Sequence, residues 1–165
     1  MNVSIANEIH RETVRPEWID YNGHMNVAYY NLAFDHALDQ LFDTIDVGAD
    51  YVKRTNNSMF VLEAHVNYLQ EVVLGDPLVF ELQVLDHDSK RLHLFLQMYH
   101  ADAGYRAATS EQLAVHVDLD SRRTAVFPEP VMRQIERLSE THRAPERAKE
   151  IGAVIGIRRK QGAAA

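Results

Sequence analysis

The sequence predicts an α+β domain in which one antiparallel sheet of about five strands wraps around one long helix. Two observations carry this. Residues 27–45 hold the only long helical pattern in the first two-thirds of the chain, with Tyr30, Phe34, Ala37, Leu38, Leu41 and Ile45 at helical spacing. Residues 58–119 then read as four strands of period-two alternation, and their hairpin-length connections make neighbours antiparallel. A chain of 165 residues is one domain by length. The expected division is a domain over residues 1–140 and a loose, flexible extension over residues 141–165.

Taken in order, residues 8–15 alternate weakly, with Ile9, Arg11, Thr13 and Arg15 on one side, and fit a first strand. Pro16 ends it, because proline cannot donate to a ladder. Asn22-Gly23 is a turn signal, since both residues tolerate positive φ. Asn26 is positioned as the N-cap of the long helix. Val47-Gly48 closes that helix in the usual way, with glycine past the last turn. Residues 49–55 fit a short second helix. The next strand, residues 58–72, has Phe60, Leu62, Ala64, Val66 and Tyr68 on one face and Met59, Val61, Glu63, His65, Asn67 and Leu69 on the other. Strands over residues 78–86, 91–100 and 105–119 follow, separated by polar or glycine turns. One face of the sheet can bury the helix. The other carries Val61, Leu69, Val79, Leu85, Phe95 and Tyr99, too apolar to be bare, so it calls for self-association or cover by the C-terminal segment. Pro130 suits the first turn of a helix over residues 131–138, and residues 158–165 read as a frayed tail.

Composition excludes several functions. The net charge of −7 argues against a general binder of nucleic acid or anionic membrane. The absence of cysteine removes disulfides, thiol nucleophiles and thiolate metal sites. No apolar run approaches the roughly 18 residues of a membrane span. Glu8, Arg11 and Glu12 interrupt any signal-peptide core. A cytoplasmic protein is the expectation.

The chemistry points to the turn. The first amides of the long helix and its dipole favour negative charge, which suits a carbonyl oxygen becoming an oxyanion. Asp20 stands just upstream, where it either acts on that carbonyl or satisfies turn amides. Gly23, His24 and Asn26 complete the candidate catalytic set, with His24 contacting substrate, bracing Asp20 or packing the turn. Glu63, His65 and Asn67 share a strand face and form a second cluster, either tuned for proton transfer and substrate contact or bonded across strands. Asn31, Asp35, Asp39, Asp43 and Asp46 make an acidic stripe along the helix, which is a solvated face or a wall for a cationic group. Trp18 and Tyr29 are candidates for contact with such a group. No His or carboxylate spacing fits a zinc signature, so no metal is expected.

Asp20-x-x-Gly23-His24-Met25-Asn26 resembles the pattern of hotdog-fold thioesterases of the 4-hydroxybenzoyl-CoA thioesterase type, over roughly residues 13–127. The stretches 18–25, 61–65 (Val-Leu-Glu-Ala-His) and 90–93 (Lys-Arg-Leu-His) are similar to those of the betainyl-CoA thioesterases of carnitine breakdown, which also occur fused to carnitine dehydrogenase. The resemblance implies a hotdog fold, hydrolysis of an acyl-CoA, most closely betainyl-CoA to glycine betaine and CoA, and no cofactor. It implies Asp20 as base or nucleophile and helix amides as oxyanion hole. It also implies a homodimer with a continuous sheet, or a homotetramer, with Glu63 and His65 reaching a site shared between subunits. Lys90, Arg91 and Arg122 are the cations offered to CoA phosphates. The alternatives are a thioesterase for another short-chain or aromatic acyl-CoA, a hotdog hydratase, and a non-catalytic acyl-CoA-binding module.

Overall fold

The computed structural model of the chain describes residues 7–142 and 147–157. Its elements are β1 (Glu8–Thr13), a single 3-10 turn (Pro16–Trp18), α1 (Val27–Thr44), α2 (Ala49–Thr55), β2 (Asn57–Tyr68), β3 (Pro77–His87), β4 (Arg91–His100), β5 (Arg106–Asp118), β6 (Arg123–Thr124) and α3 (Glu129–Thr141). The sheet is antiparallel in the order β1-β3-β4-β5-β2, with the short β6 paired to β5. This is the α+β arrangement the alternation and the single long helix predict.

α1 forms because its apolar residues recur every three to four positions. It buries Tyr30, Ala33, Phe34, Ala37, Leu38 and Leu41. Opposite lie Leu78, Phe80 and Leu82 of β3 and Leu92, Leu94, Leu96 and Met98 of β4, all in the same core. The Phe34 and Phe80 rings meet edge to face at 5.8 Å. Each such side chain contributes on the order of 1.5–3 kcal/mol when buried, so this contact fixes where the N-terminus of α1 sits. Asn26 caps α1, its side chain accepting from the Ala28 amide at 2.9 Å. The other end differs from expectation. Asp46, not Gly48, takes the left-handed conformation (φ 59°), which Asp tolerates better than most residues, and the Arg54 guanidinium pairs with its carboxylate.

β2 is where simple alternation fails. Its register with β5 shifts between Val61 and Glu63, a bulge at Leu62. Up to the bulge, Met59 and Val61 pair with His116 and Ala114; after it, Ala64, Val66 and Tyr68 pair with Gln112, Ser110 and Ala108. The partners Ala108, Ser110, Gln112, Ala114 and His116 alternate along β5 and share the helix-facing side of the sheet. Phe60 therefore joins Glu63, His65 and Asn67 on the outer face, while Met59 and Val61 face α1. The extra residue inverts the face of everything on one side of it.

The outer face is covered within the chain. Val79 and Phe95 are buried there. Residues 147–157, part of the stretch expected to be loose, lie across it and bury Glu150 and Ile151. Arg106 Nη2 donates to Glu150 Oε1 at 2.9 Å, and the Gly152 amide donates to Glu111 Oε2 at 2.6 Å. The expected frayed tail, residues 158–165, lies outside the described residues. α3 buries Val131, Ile135 and Leu138 and closes one end of the helix-side core with Phe127. No helix among the described residues is long and apolar enough to cross a membrane.

Candidate active site

The Asp20 turn is built by backbone bonds. The Asp20 amide donates to the His24 carbonyl at 3.1 Å, and the Gly23 amide donates to the Asp20 carbonyl at 3.0 Å. Gly23 sits at φ 85°, the conformation that the turn demands and that side chains resist. The turn is anchored from outside as well. The Met25 amide donates to the Val72 carbonyl and the Asn26 amide to the Trp18 carbonyl, each at 2.9 Å. The half-buried Asp20 carboxylate accepts from the Asn22 amide through Oδ1 at 2.8 Å. Its second oxygen has no bond among the described residues.

This geometry narrows the expected oxyanion donors. The amides of Gly23, Met25 and Asn26 are spent on carbonyls, and that of Ala28 on the Asn26 side chain. The amides of His24 and Val27 have no acceptor among the described residues. They flank the electropositive start of α1 and are the groups able to meet a developing negative charge. His24 is half-buried, with Nδ1 3.3 Å from the Met25 carbonyl. Gly23 thus serves by conformation and Asn26 by capping, rather than through their own amides.

Trp18 is packed into the core beneath the turn. It is 1% exposed. Its ring stacks on Tyr29 at 5.8 Å, with the Arg15 guanidinium 5.1 Å from its centroid. Its part is to hold the half-buried Tyr29 and the base of the turn.

Glu63, His65 and Asn67 lie on the outer face of the sheet, away from α1 and Asp20. Glu63 and His65 line a cavity of about 380 Å³ with His93, Glu111, Gly152 and Ala153. Within it His93 Nε2 lies 2.8 Å from Glu111 Oε1. Sequence spacing missed His93 and Glu111, which meet only through the pairing of β4 with β5. The two candidate clusters are therefore on opposite faces of one chain.

The cations stand apart as well. Lys90 and Arg91 lie at the β3–β4 hairpin and Arg122 at the β5–β6 turn. The hairpin and turn share one end of the sheet, since the Phe127 amide bonds to the Ser89 carbonyl and the His116 amide to the Lys90 carbonyl. Arg91 is held by Asp88, whose carboxyl is lowered to about 2 by that guanidinium and by the backbone amides of Lys90 and Arg91. Asp20 lies at the opposite end, where β4 finishes. The ten residues of β4 span about 30 Å, so no single chain brings both ends to one short ligand.

A groove of about 510 Å³ separates α1 from the first half of β2. It is lined by Asp35, Asp39, Phe42, Val52, Met59 and Phe60 among others. The Asp39 carboxyl is pushed up by burial, then by Asp35 and Asp43. Part of the acidic stripe therefore walls a groove rather than open solvent.

The chain matches the thioesterase-like superfamily over residues 14–135. The chain belongs to that superfamily. It is 41% identical to a betainyl-CoA thioesterase of Pseudomonas aeruginosa over 144 residues, 87% of this chain and 91% of that protein. It is 33% identical over 146 residues, 88% of this chain, to an L-carnitine dehydrogenase/betainyl-CoA thioesterase of a Rhizobium species, of which it spans 29%. Among solved structures it resembles a Staphylococcus aureus protein in complex with CoA, with a TM-score of 0.87 and 31% identity, covering 96% of this chain and all of the other. The fold is the hotdog fold, and the enzyme class that comes with the family is thioester hydrolase.

Proposed function

We propose that the protein hydrolyses betainyl-CoA to glycine betaine and CoA. The observation that carries this is the similarity to a betainyl-CoA thioesterase along 91% of that protein's length. The groove supports it once two copies pair, because Asp35, Asp39 and Phe42 of the second copy offer the acidic and aromatic surroundings that suit a trimethylammonium group. The rise of α1, about 1.5 Å per residue, holds a chain's own groove away from its Asp20.

In this mechanism the thioester carbonyl points at the His24 and Val27 amides. Asp20 removes a proton from water as it attacks, or attacks the carbonyl carbon itself to form a mixed anhydride. The tetrahedral oxyanion forms against the helix amides and collapses with cleavage of the carbon–sulfur bond. The leaving thiolate takes up a proton, in the base route the one Asp20 took from water, and there the acid product carries the water oxygen. In the anhydride route a water then cleaves the anhydride at the Asp20 carboxyl carbon, releasing the acid and regenerating Asp20 with the water oxygen. Single turnover in isotopically labelled water separates the routes, since only the anhydride route places label in Asp20.

The active form is a homodimer joined through β2, or a tetramer made of two such dimers. Among the described residues β2 ends the sheet with an unpaired edge, and Phe60, Val61, Leu62 and Tyr68 are 41–59% exposed. Antiparallel pairing of two β2 strands brings one copy's Lys90 and Arg122 end beside the other copy's Asp20, closing the separation described above. CoA phosphates then rest on one subunit while the other cleaves. The enzyme acts in carnitine breakdown in the cytoplasm.

Release of free thiol from a panel of betainyl-, acetyl- and benzoyl-CoA tests the substrate. Turnover of betainyl-CoA far above the others supports the proposal. Preference for a neutral acyl group would replace it with a different short-chain or aromatic thioesterase, and no release from any would favour an acyl-CoA-binding module.

A further inference from the structure

We propose that His10, Glu12 and His36 bind one divalent transition-metal ion, with Zn²⁺ the best match to the ligand set. His10 and Glu12 are two apart on β1, so both side chains point to the same face. Their cross-strand partners Phe80 and Leu78 are core residues, which makes that the face α1 packs on. α1 presents His36 to them. His36 Nδ1 lies 3.0 Å from Glu12 Oε2, and His10 Nε2 lies 3.7 Å from Glu12 Oε1. All three ligand atoms fall within 4.8 Å of one another.

Burial makes this more than a tether between strand and helix. The Glu12 side chain is only 7% exposed. His10 Nε2 and Glu12 Oε1 are buried and make no hydrogen bond among the described residues. A simple imidazole–carboxylate pair between His36 and Glu12 uses the other carboxylate oxygen and leaves these two atoms facing each other unsatisfied, a costly state for buried polar groups. A cation between them satisfies both at once. Around an ion with bonds of about 2.1 Å in tetrahedral geometry, ligand atoms stand about 3.4 Å apart, within the span of the two distances to Glu12. Two imidazole nitrogens and one carboxylate oxygen, with water in the fourth position, suit Zn²⁺. The Arg15 guanidinium, 3.8 Å from Glu12 Oε2 and half exposed, offsets the carboxylate when no ion is bound.

The three ligands join the edge strand β1 to α1 directly below the Asp20 turn, with the His36 ring 6.3 Å from Trp18. A bound ion would therefore brace the base of that turn. No local spacing reveals the cluster, because its third member comes from another element 24 residues away.

The test is calorimetric titration of the untagged full chain with Zn²⁺ after removal of metals by chelator, alongside melting temperature and the fluorescence of Trp18, the sole tryptophan. One ion per chain, a raised melting temperature and a changed Trp18 signal are expected. His36→Ala and Glu12→Gln should each weaken binding at least about tenfold, more than loss of an indirect support to a metal ligand causes at its mildest, while His142→Ala leaves it unchanged. Should Glu12→Gln not fold, His36→Ala, altered at a partly exposed position, decides the matter alone. No stoichiometric uptake at micromolar free Zn²⁺, or equal affinity in His36→Ala and the native chain, would overturn the proposal.

Discussion

Asp20 uses one carboxylate oxygen to hold its own turn, and the other, which has no bond among the described residues, is the one the proposed chemistry uses. Oδ1 accepts from the Asn22 amide, and Gly23 supplies the positive φ that lets the chain return beneath it. A Cβ at Gly23 would meet nothing within 4 Å, so the penalty of Gly23→Ala is backbone strain and not a clash. That strain is about 1–2 kcal/mol. We expect a matching loss of stability in denaturant, with kcat reduced because the turn that aims Asp20 is disturbed. In the proposed reading Asp35 and Asp39, which line the groove, serve binding rather than bond cleavage. Asp35→Asn and Asp39→Asn should raise KM for betainyl-CoA with little change in kcat, and leave KM for acetyl-CoA nearly unaltered. Equal effects on both substrates would remove the acids from recognition of the cationic group.

At the scale of elements, α1 and the sheet were legible in the sequence because their periods are set by a large core. The spacing of Tyr30, Phe34, Leu38 and Leu41 survives into the structure because Phe80, Leu94 and Leu96 need that stripe. β2 departs from the expected alternation before Leu62, since a bulge there adds a residue that no composition rule flags, and Met59, Phe60 and Val61 change faces with it. The site was legible only in its local part. Asp20, Gly23 and Asn26 are neighbours in sequence, whereas His93 with Glu111, and His10 with His36, meet only once strands and helix are paired. α2 provides a test at this scale. Tyr51 Oη lies 2.9 Å from His116 Nε2, and His116 Nδ1 donates to the Ala125 carbonyl at 3.1 Å. Burial lowers the His116 pKa below its ordinary 6.5, against opposing hydrogen bonds to the backbone. The unfolded chain then binds the proton more readily, so stability present above 6.5 is lost as pH falls through the folded value. Melting temperature should drop as pH falls below about 6.5, the ordinary value. His116→Gln should flatten that drop; an unchanged slope would mean that His116 does not carry it.

Among the described residues, the β2 edge of the sheet has no partner. Its exposed apolar side chains, together with the distance between Asp20 and the Lys90–Arg122 end, call for a second copy. Phe60→Lys combined with Leu62→Lys places charge along that edge. Light scattering should then report monomers in place of dimers or tetramers, with activity lost while circular dichroism is retained. A fully active monomer would show that one chain holds the complete site.

The central claim rests on one carboxylate, and the rate of thiol release by Asp20→Asn with betainyl-CoA tests it most directly. A fall in kcat of about 10²- to 10⁴-fold, the contribution of a positioned general base, with the circular dichroism and melting curve of the native chain, is the predicted result. Turnover at the native rate would contradict the account.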